Sequence, residues 1–174
     1  MNNIVLAASD NLRLMFDRRG DRWGHQIEVN PDGAWVAALS SIEGSPADDW
    51  PPSPAFQHIH LQTFSINGPT ALLVGKAGAS HWSAAIEADR EAGVLRFDIA
   101  CRLSSGPKYL GSTYSIIKDR NESAPRRLRI EVAMINDACL RAIQASETEM
   151  AVCVTSESLP EPRTIRWKYV VNSA

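Results

Sequence analysis

Ser80-His-Trp-Ser-Ala-Ala-Ile-Glu-Ala-Asp89, Arg90-Glu-Ala-Gly93 and Val94-Leu-Arg-Phe-Asp-Ile-Ala-Cys-Arg-Leu103 together read as one β-hairpin whose pairing follows from the residues themselves. Apolar residues recur at every second position on both sides of Arg90–Gly93, the period of a strand with one buried face. A four-residue loop there sets Trp82, Ala84, Ile86 and Ala88 across from Cys101, Ile99, Phe97 and Leu95 on one side. On the other side Glu87 falls opposite Arg96, and His81 opposite Arg102. Opposite charges facing across a strand pair contribute about 0.2–1 kcal/mol. A slip of one residue would turn the whole apolar set to water, so burial holds the register. The stretch predicts a twisted antiparallel β protein.

The same alternation runs through most of the chain. Leu12, Leu14 and Phe16 alternate with polar residues up to Arg18-Arg-Gly-Asp21, after which Trp23, His25, Ile27 and Val29 alternate in turn. Pairing across a loop at residues 18–21 puts Phe16 beside Trp23, Leu14 beside His25 and Leu12 beside Ile27, with Asp17 and Arg22 adjacent on the outer face. Asn30-Pro-Asp-Gly33 is a turn, and Trp35 to Ile42 is apolar on both faces, as a central strand is. Gly44 to Pro54 holds four prolines; proline donates nothing to a ladder, so this segment reads as a loop. Further strands are expected over Phe56–Ile66, Ala71–Ala77, Ser112–Ile117, Leu128–Ile135, Met150–Thr155 and Thr164–Val171. Between Asp137 and Ser146 two readings stand. Asp137 caps a short helix with Leu140 and Ile143 inward, which is slightly preferred, or the segment pairs with Met150 onwards.

These elements give an all-β fold with at most one short helix. It is an antiparallel β-sandwich or a curled, barrel-like sheet of about nine to eleven strands. With 174 residues, 44% of them hydrophobic and 22% charged, the chain makes a single β domain over 1–174 that needs no staple. Its net charge of -2 argues against nucleic acid as a partner. The nearest basic cluster, Lys118, Arg120, Arg126, Arg127 and Arg129, is diluted by Asp119 and Glu122. Ile4 to Ala8 is too short for a signal or a membrane span, so a cytoplasmic protein with no membrane partner is expected. Cys101, Cys139 and Cys153 form no CxxC and read as reduced packing residues. Exposed edges among so many strands make a homodimer the expected assembly.

His58-Ile-His60 is the sharpest candidate for chemistry. Alternation points both imidazoles to one face, as a strand offering two ligands to a divalent metal would. Asp48 or Asp49, in the proline-rich loop that feeds this strand, would complete a two-histidine, one-carboxylate set if the loop folded back. H-x-H alone is more often a pair of ordinary strand histidines, and no cofactor is expected. Of the five tryptophans, Trp50 is the one expected to be exposed, where it would stack on a sugar ring; the others fall on apolar positions. Gly75-Lys-Ala-Gly-Ala-Ser-His81 lacks both the Walker spacing and a following helix, so it reads as a turn. There is no G-x-S-x-G elbow. The favoured reading is a non-catalytic β module that binds a small molecule, carbohydrate or protein partner through Asp48, Asp49, Trp50 and the face carrying His58 and His60. The alternative is an enzyme using those histidines with a loop carboxylate, metal-dependent or as a sugar acid–base catalyst of the epimerase kind.

Overall fold

The computed structural model describes residues 3–63, 67–118, 128–133, 139–144, 146–155 and 163–173, with the side chains of 132–133, 139–144 and 155 left aside. Among the described residues there are thirteen strands and no helix, so none long and apolar enough to cross a membrane. The first half contributes β1 (Ile4–Ala7), β2 (Leu12–Arg19), β3 (Arg22–Val29), β4 (Val36–Ser41), β5 (His58–Gln62) and β6 (Thr70–Ala77). The second half adds β7 (Ser80–Asp89), β8 (Val94–Leu103), β9 (Gly111–Ile116), β10 (Leu128–Ala133), β11 (Cys139–Gln144), β12 (Glu149–Thr155) and β13 (Arg163–Ser173). All pairs are antiparallel. A seven-stranded sheet runs β1-β2-β3-β4-β9-β12-β11 and a six-stranded sheet runs β10-β13-β8-β7-β6-β5. The two pack as a sandwich and do not close into a barrel.

The hairpin β7–β8 has the register read from its sequence: Trp82 faces Cys101, Ile86 faces Phe97 and Glu87 faces Arg96. Its loop is closed by Gly93 in the left-handed region and by the Ala92 N–H donating to Asp89 Oδ1. Arg96 reaches diagonally to the same Asp89 carboxylate at 2.9 Å. The inner faces of β7, β8 and β13 supply the largest part of the core. Trp82 and Trp167 meet edge to face at 6.0 Å, and Phe97 stacks on Tyr169 at 4.5 Å. Cys101 is buried there, its thiol pushed up to about 12 by desolvation, which leaves it a packing residue.

The N-terminal hairpin corrects the expected pairing by two residues. Its loop is Gly20-Asp21 alone, with Gly20 at φ 64°, so Phe16 faces His25, Leu14 faces Ile27 and Leu12 faces Val29. Trp23 comes opposite Arg18, whose guanidinium lies 5.7 Å from the indole centroid, and Asp17 binds Arg19 instead of Arg22. A slip of two preserves the face of every side chain, so hydrophobic patterning accepts either register and the tighter turn decides. Trp35 precedes β4 and is half-buried beneath the Arg13 guanidinium, 4.2 Å from its ring centroid.

The strand count also exceeds the nine to eleven expected. Ile4–Ala7 pairs with β2 as an added edge strand. The helix preferred between Asp137 and Ser146 is not formed: Cys139–Gln144 is β11, paired along its length with β12. β12 bonds β9 on its other side, so its free edge is satisfied by the chain that immediately precedes it. Of the long strand expected over Phe56–Ile66, pairing covers His58–Gln62, and 64–66 lie outside the described residues. The ends of the Leu128–Ile135 and Thr164–Val171 expectations shift to Leu128–Ala133, with 134–135 outside the described residues, and Arg163–Ser173.

Candidate functional site

β5 is the outer strand of the six-stranded sheet, and its histidines point away from the sandwich. His58 stands opposite Val74 and His60 opposite Leu72, both imidazoles exposed, while Ile59 packs on the core. The shared face predicted from H-x-H is therefore correct, and it is the solvent face.

The proline-rich segment does not fold back over these histidines. Asp48 closes its own turn, accepting the Ser45 N–H at 2.6 Å and returning its N–H to the Ser45 carbonyl at 3.0 Å. Asp49 lies at the β6–β7 turn, its Oδ1 so close to Gly78 that a Cβ there would stand 2.4 Å away. Gly78 follows the end of β6, three strand residues beyond Val74, the residue opposite His58, so about 10 Å of strand separates the turn from that position. Trp50 is half-buried against the core, not the exposed platform expected. Pro51, Ser53, Pro54, Ala55 and Phe56 are buried and form a strap between the sheets. Ser53 Oγ donates to the Thr113 carbonyl at 3.0 Å and accepts its N–H at 3.1 Å, and Thr113 Oγ1 donates to the Pro52 carbonyl at 2.8 Å. Further on, the Trp23 N–H donates to the Phe56 carbonyl and the Gln57 N–H to the Val74 carbonyl. Among the described residues no three of His, Cys, Asp and Glu are grouped to hold a metal.

The face carrying His58 and His60 continues across the sheet as rows of residues in register. One row runs Gln62, Thr70, Glu87, Arg96, Val170; the next runs His60, Leu72, Ala85, Asp98, Lys168. Where these rows cross β7, β8 and β13 they enclose a depression of about 400 Å³, floored by Thr70 and Ala85 and walled by Glu87, Arg96, Asp98 and Lys168. Small side chains in the floor and long ones around it produce the concavity. Asp98 accepts from Arg166 through Nε and Nη2 and from Lys168 at 2.9 Å. Partial burial opposes its ionisation, but those hydrogen bonds outweigh burial and hold the carboxyl below its usual range. In the expected basic cluster, Lys118 pairs with Glu147 and Arg129 with Glu131; Arg120, Arg126 and Arg127 lie outside the described residues.

A second constellation was not legible in the sequence. Arg22, His25, Ser41 and Glu43 are buried polar residues brought together by β3 and the end of β4. Ser41 Oγ accepts the His25 N–H at 2.8 Å and contacts the Glu43 carboxyl; Arg22 donates to the Glu43 carbonyl at 3.1 Å. Gly24 has no side chain, so Arg19 lies across it to reach Glu43 at 3.7 Å. His25 Nε2 is hydrogen-bonded to the Tyr114 hydroxyl at 3.0 Å, and that hydroxyl to the Tyr169 hydroxyl at 2.6 Å. Burial pushes Glu43 up to about 7, against the pull of Ser41 and the two arginines, and pulls His25 down to about 3, helped by Arg19. Both phenols are raised by burial. His25, Tyr114 and Tyr169 are buried in the core, whereas Arg19, at the other end of these contacts, is half-exposed.

Set against models of protein families, curated protein sequences and solved structures, the chain gives no match.

Proposed function

We propose that this protein is a non-catalytic β-sandwich module that binds a small polar molecule or carbohydrate on the outer face of its six-stranded sheet, between Lys168 and the His60 edge. The depression around Ala85 carries the reading. Its volume of about 400 Å³ falls within the range of small-ligand sites, about 300–1,000 Å³. Among its walls Asp98 is paired with Lys168, and Arg96 is held by Asp89, so a ligand meets hydrogen-bonding atoms held in place instead of bare charges. Asp98 is kept ionised by its cations and is a poor proton donor near neutrality. Of the carboxylates an acid–base reading would lend to His58 and His60, Asp48 is bonded at the Ser45 turn and Asp49 lies against Gly78.

The test is to fill the floor. Ala85→Trp changes an outer-face residue and should leave the melting temperature within a degree or two. Calorimetric titration with a panel of neutral oligosaccharides should find a binder for the wild-type protein that the variant no longer holds. Equal binding by both proteins would overturn the reading.

A further inference from the structure

The outer face is not uniform in its charge pairing. In the two rows that bound the depression, opposite charges meet across strands: Glu87 faces Arg96, and Asp98 faces Lys168. At the end of the sheet nearest the β6–β7 turn the rule is broken. Lys76, His81 and Arg102 stand opposite one another in register on β6, β7 and β8, all exposed. At about 4.8 Å per strand the row spans roughly 10 Å between the outer backbones. No carboxylate stands in this row to face Lys76 or Arg102, and neither makes an ion pair among the described residues. The row beside it is His58, Val74, Ser83, Ala100, Arg166, in which the three side chains beside Lys76, His81 and Arg102 are short. The basic arms therefore stand above a low floor with the Ser83 hydroxyl exposed next to them and exposed Thr164 opposite Arg102. Asp49 sits against Gly78 beyond the row, and Asp98 is two rows away, bound to Arg166 and Lys168.

We propose that Lys76, His81 and Arg102 form a subsite for the acidic group of a carboxylated or sulfated oligosaccharide. The inference rests on the binding reading above, since the rest of that sugar chain lies in the depression around Ala85. The row containing Lys76 lies four residues along β6 from the row containing Leu72 and Ala85, about 13 Å, so the ligand is an extended chain and not a single sugar. A cationic row on a chain of net charge -2 marks a local site for an anion and not a general affinity for polyanions. No described aromatic side chain lies on this face, since Trp82, Phe97, Trp167 and Tyr169 all point into the core, so stacked bases find no platform.

The experiment uses the whole chain and three probes: a short oligogalacturonate, its methyl-esterified neutral form, and a single-stranded oligonucleotide of similar charge. Binding of each is measured by calorimetry to the wild-type protein, to Ala85→Trp and to the double variant Lys76→Gln/Arg102→Gln, whose exposed substitutions leave the core untouched. The acidic sugar should bind the wild type about tenfold more tightly than the ester, and the double variant should erase that advantage while keeping its affinity for the ester. Equal affinity for acid and ester in the wild type would overturn the subsite while leaving the depression standing. Acid binding that is lost in the double variant but retained in Ala85→Trp would keep the subsite and remove the depression. An oligonucleotide bound as tightly as the acidic sugar, with the same loss in the double variant, would overturn the assignment of the ligand as a sugar.

Discussion

Glu43 and His25 are two buried groups whose protonation differs between the folded and unfolded chain in the acid-to-neutral range. Glu43, raised to about 7 from 4.5, holds a proton in the folded state that the unfolded chain has released; it favours folding below about 4.5, and that contribution is lost as pH rises toward 7. His25, pulled down from 6.5 to about 3, does the reverse: it favours folding above about 6.5, and that contribution is lost as pH falls toward 3. Between 4.5 and 6.5 the two slopes oppose each other. Glu43→Gln removes one of them. Relative to the wild type, this variant should gain roughly 3 kcal/mol between about pH 4 and pH 8, from a 2.5-unit displacement at about 1.4 kcal/mol each. Urea midpoints at the two pH values check it; a difference that does not change with pH would show that Glu43 is solvated. None of this was readable beforehand. Glu43 follows an apolar strand and looks like the first residue of a loop, and its partners Arg19, Arg22 and His25 come from a hairpin some twenty residues away. His58 and His60 were legible in part. Alternation correctly gave them one face, but a strand with Ile59 and Leu61 on one side and Phe56 on the other does not say which face is buried. The strap takes Phe56 into the core before the strand begins, and the histidines turn outward.

At the scale of elements, loop chemistry separated the pairings that were legible from those that were not. β7–β8 was legible because Gly93 and the Asp89 carboxylate close a loop whose length the flanking apolar residues also demand. β2–β3 was not, because Gly20-Asp21 and the longer loop give the same faces. β11 carries Leu140 and Ile143 three apart, a spacing that suits a helix, yet β12 beside it offers an open edge and pairing prevails. The strap was read as a free loop because its prolines forbid ladder bonding, and its hydrogen bonds to β9 use the Ser53 side chain and the Pro52 carbonyl instead. Ser53→Ala would leave the Thr113 N–H without its acceptor in a half-buried position. A loss of about 1–3 kcal/mol is expected from thermal or urea unfolding. No loss would mean that water replaces the hydroxyl and that the strap is held by packing alone.

Across the whole molecule, both sheets are completed by pairings between distant parts of the chain. β4 pairs with β9, Leu39 opposite Ile116, and β8 with β13, Leu95 opposite Val171. Such topologies close large loops before the contacts reward them. Refolding followed by tryptophan fluorescence should therefore take milliseconds to seconds; a microsecond phase carrying most of the amplitude would contradict it. The strap sets how the finished sandwich answers a mechanical load. Residues 52–57 are bonded in turn to β9, to β3 and to β6, so they act as a stitch running through both layers. A pull that peels β5 from its sheet first opens the bonds to β6 and then meets the Phe56–Trp23 bond, anchored in the opposite layer. Tearing stops there until that second bond yields, so the molecule resists unzipping from its exposed histidine edge in two steps and not one.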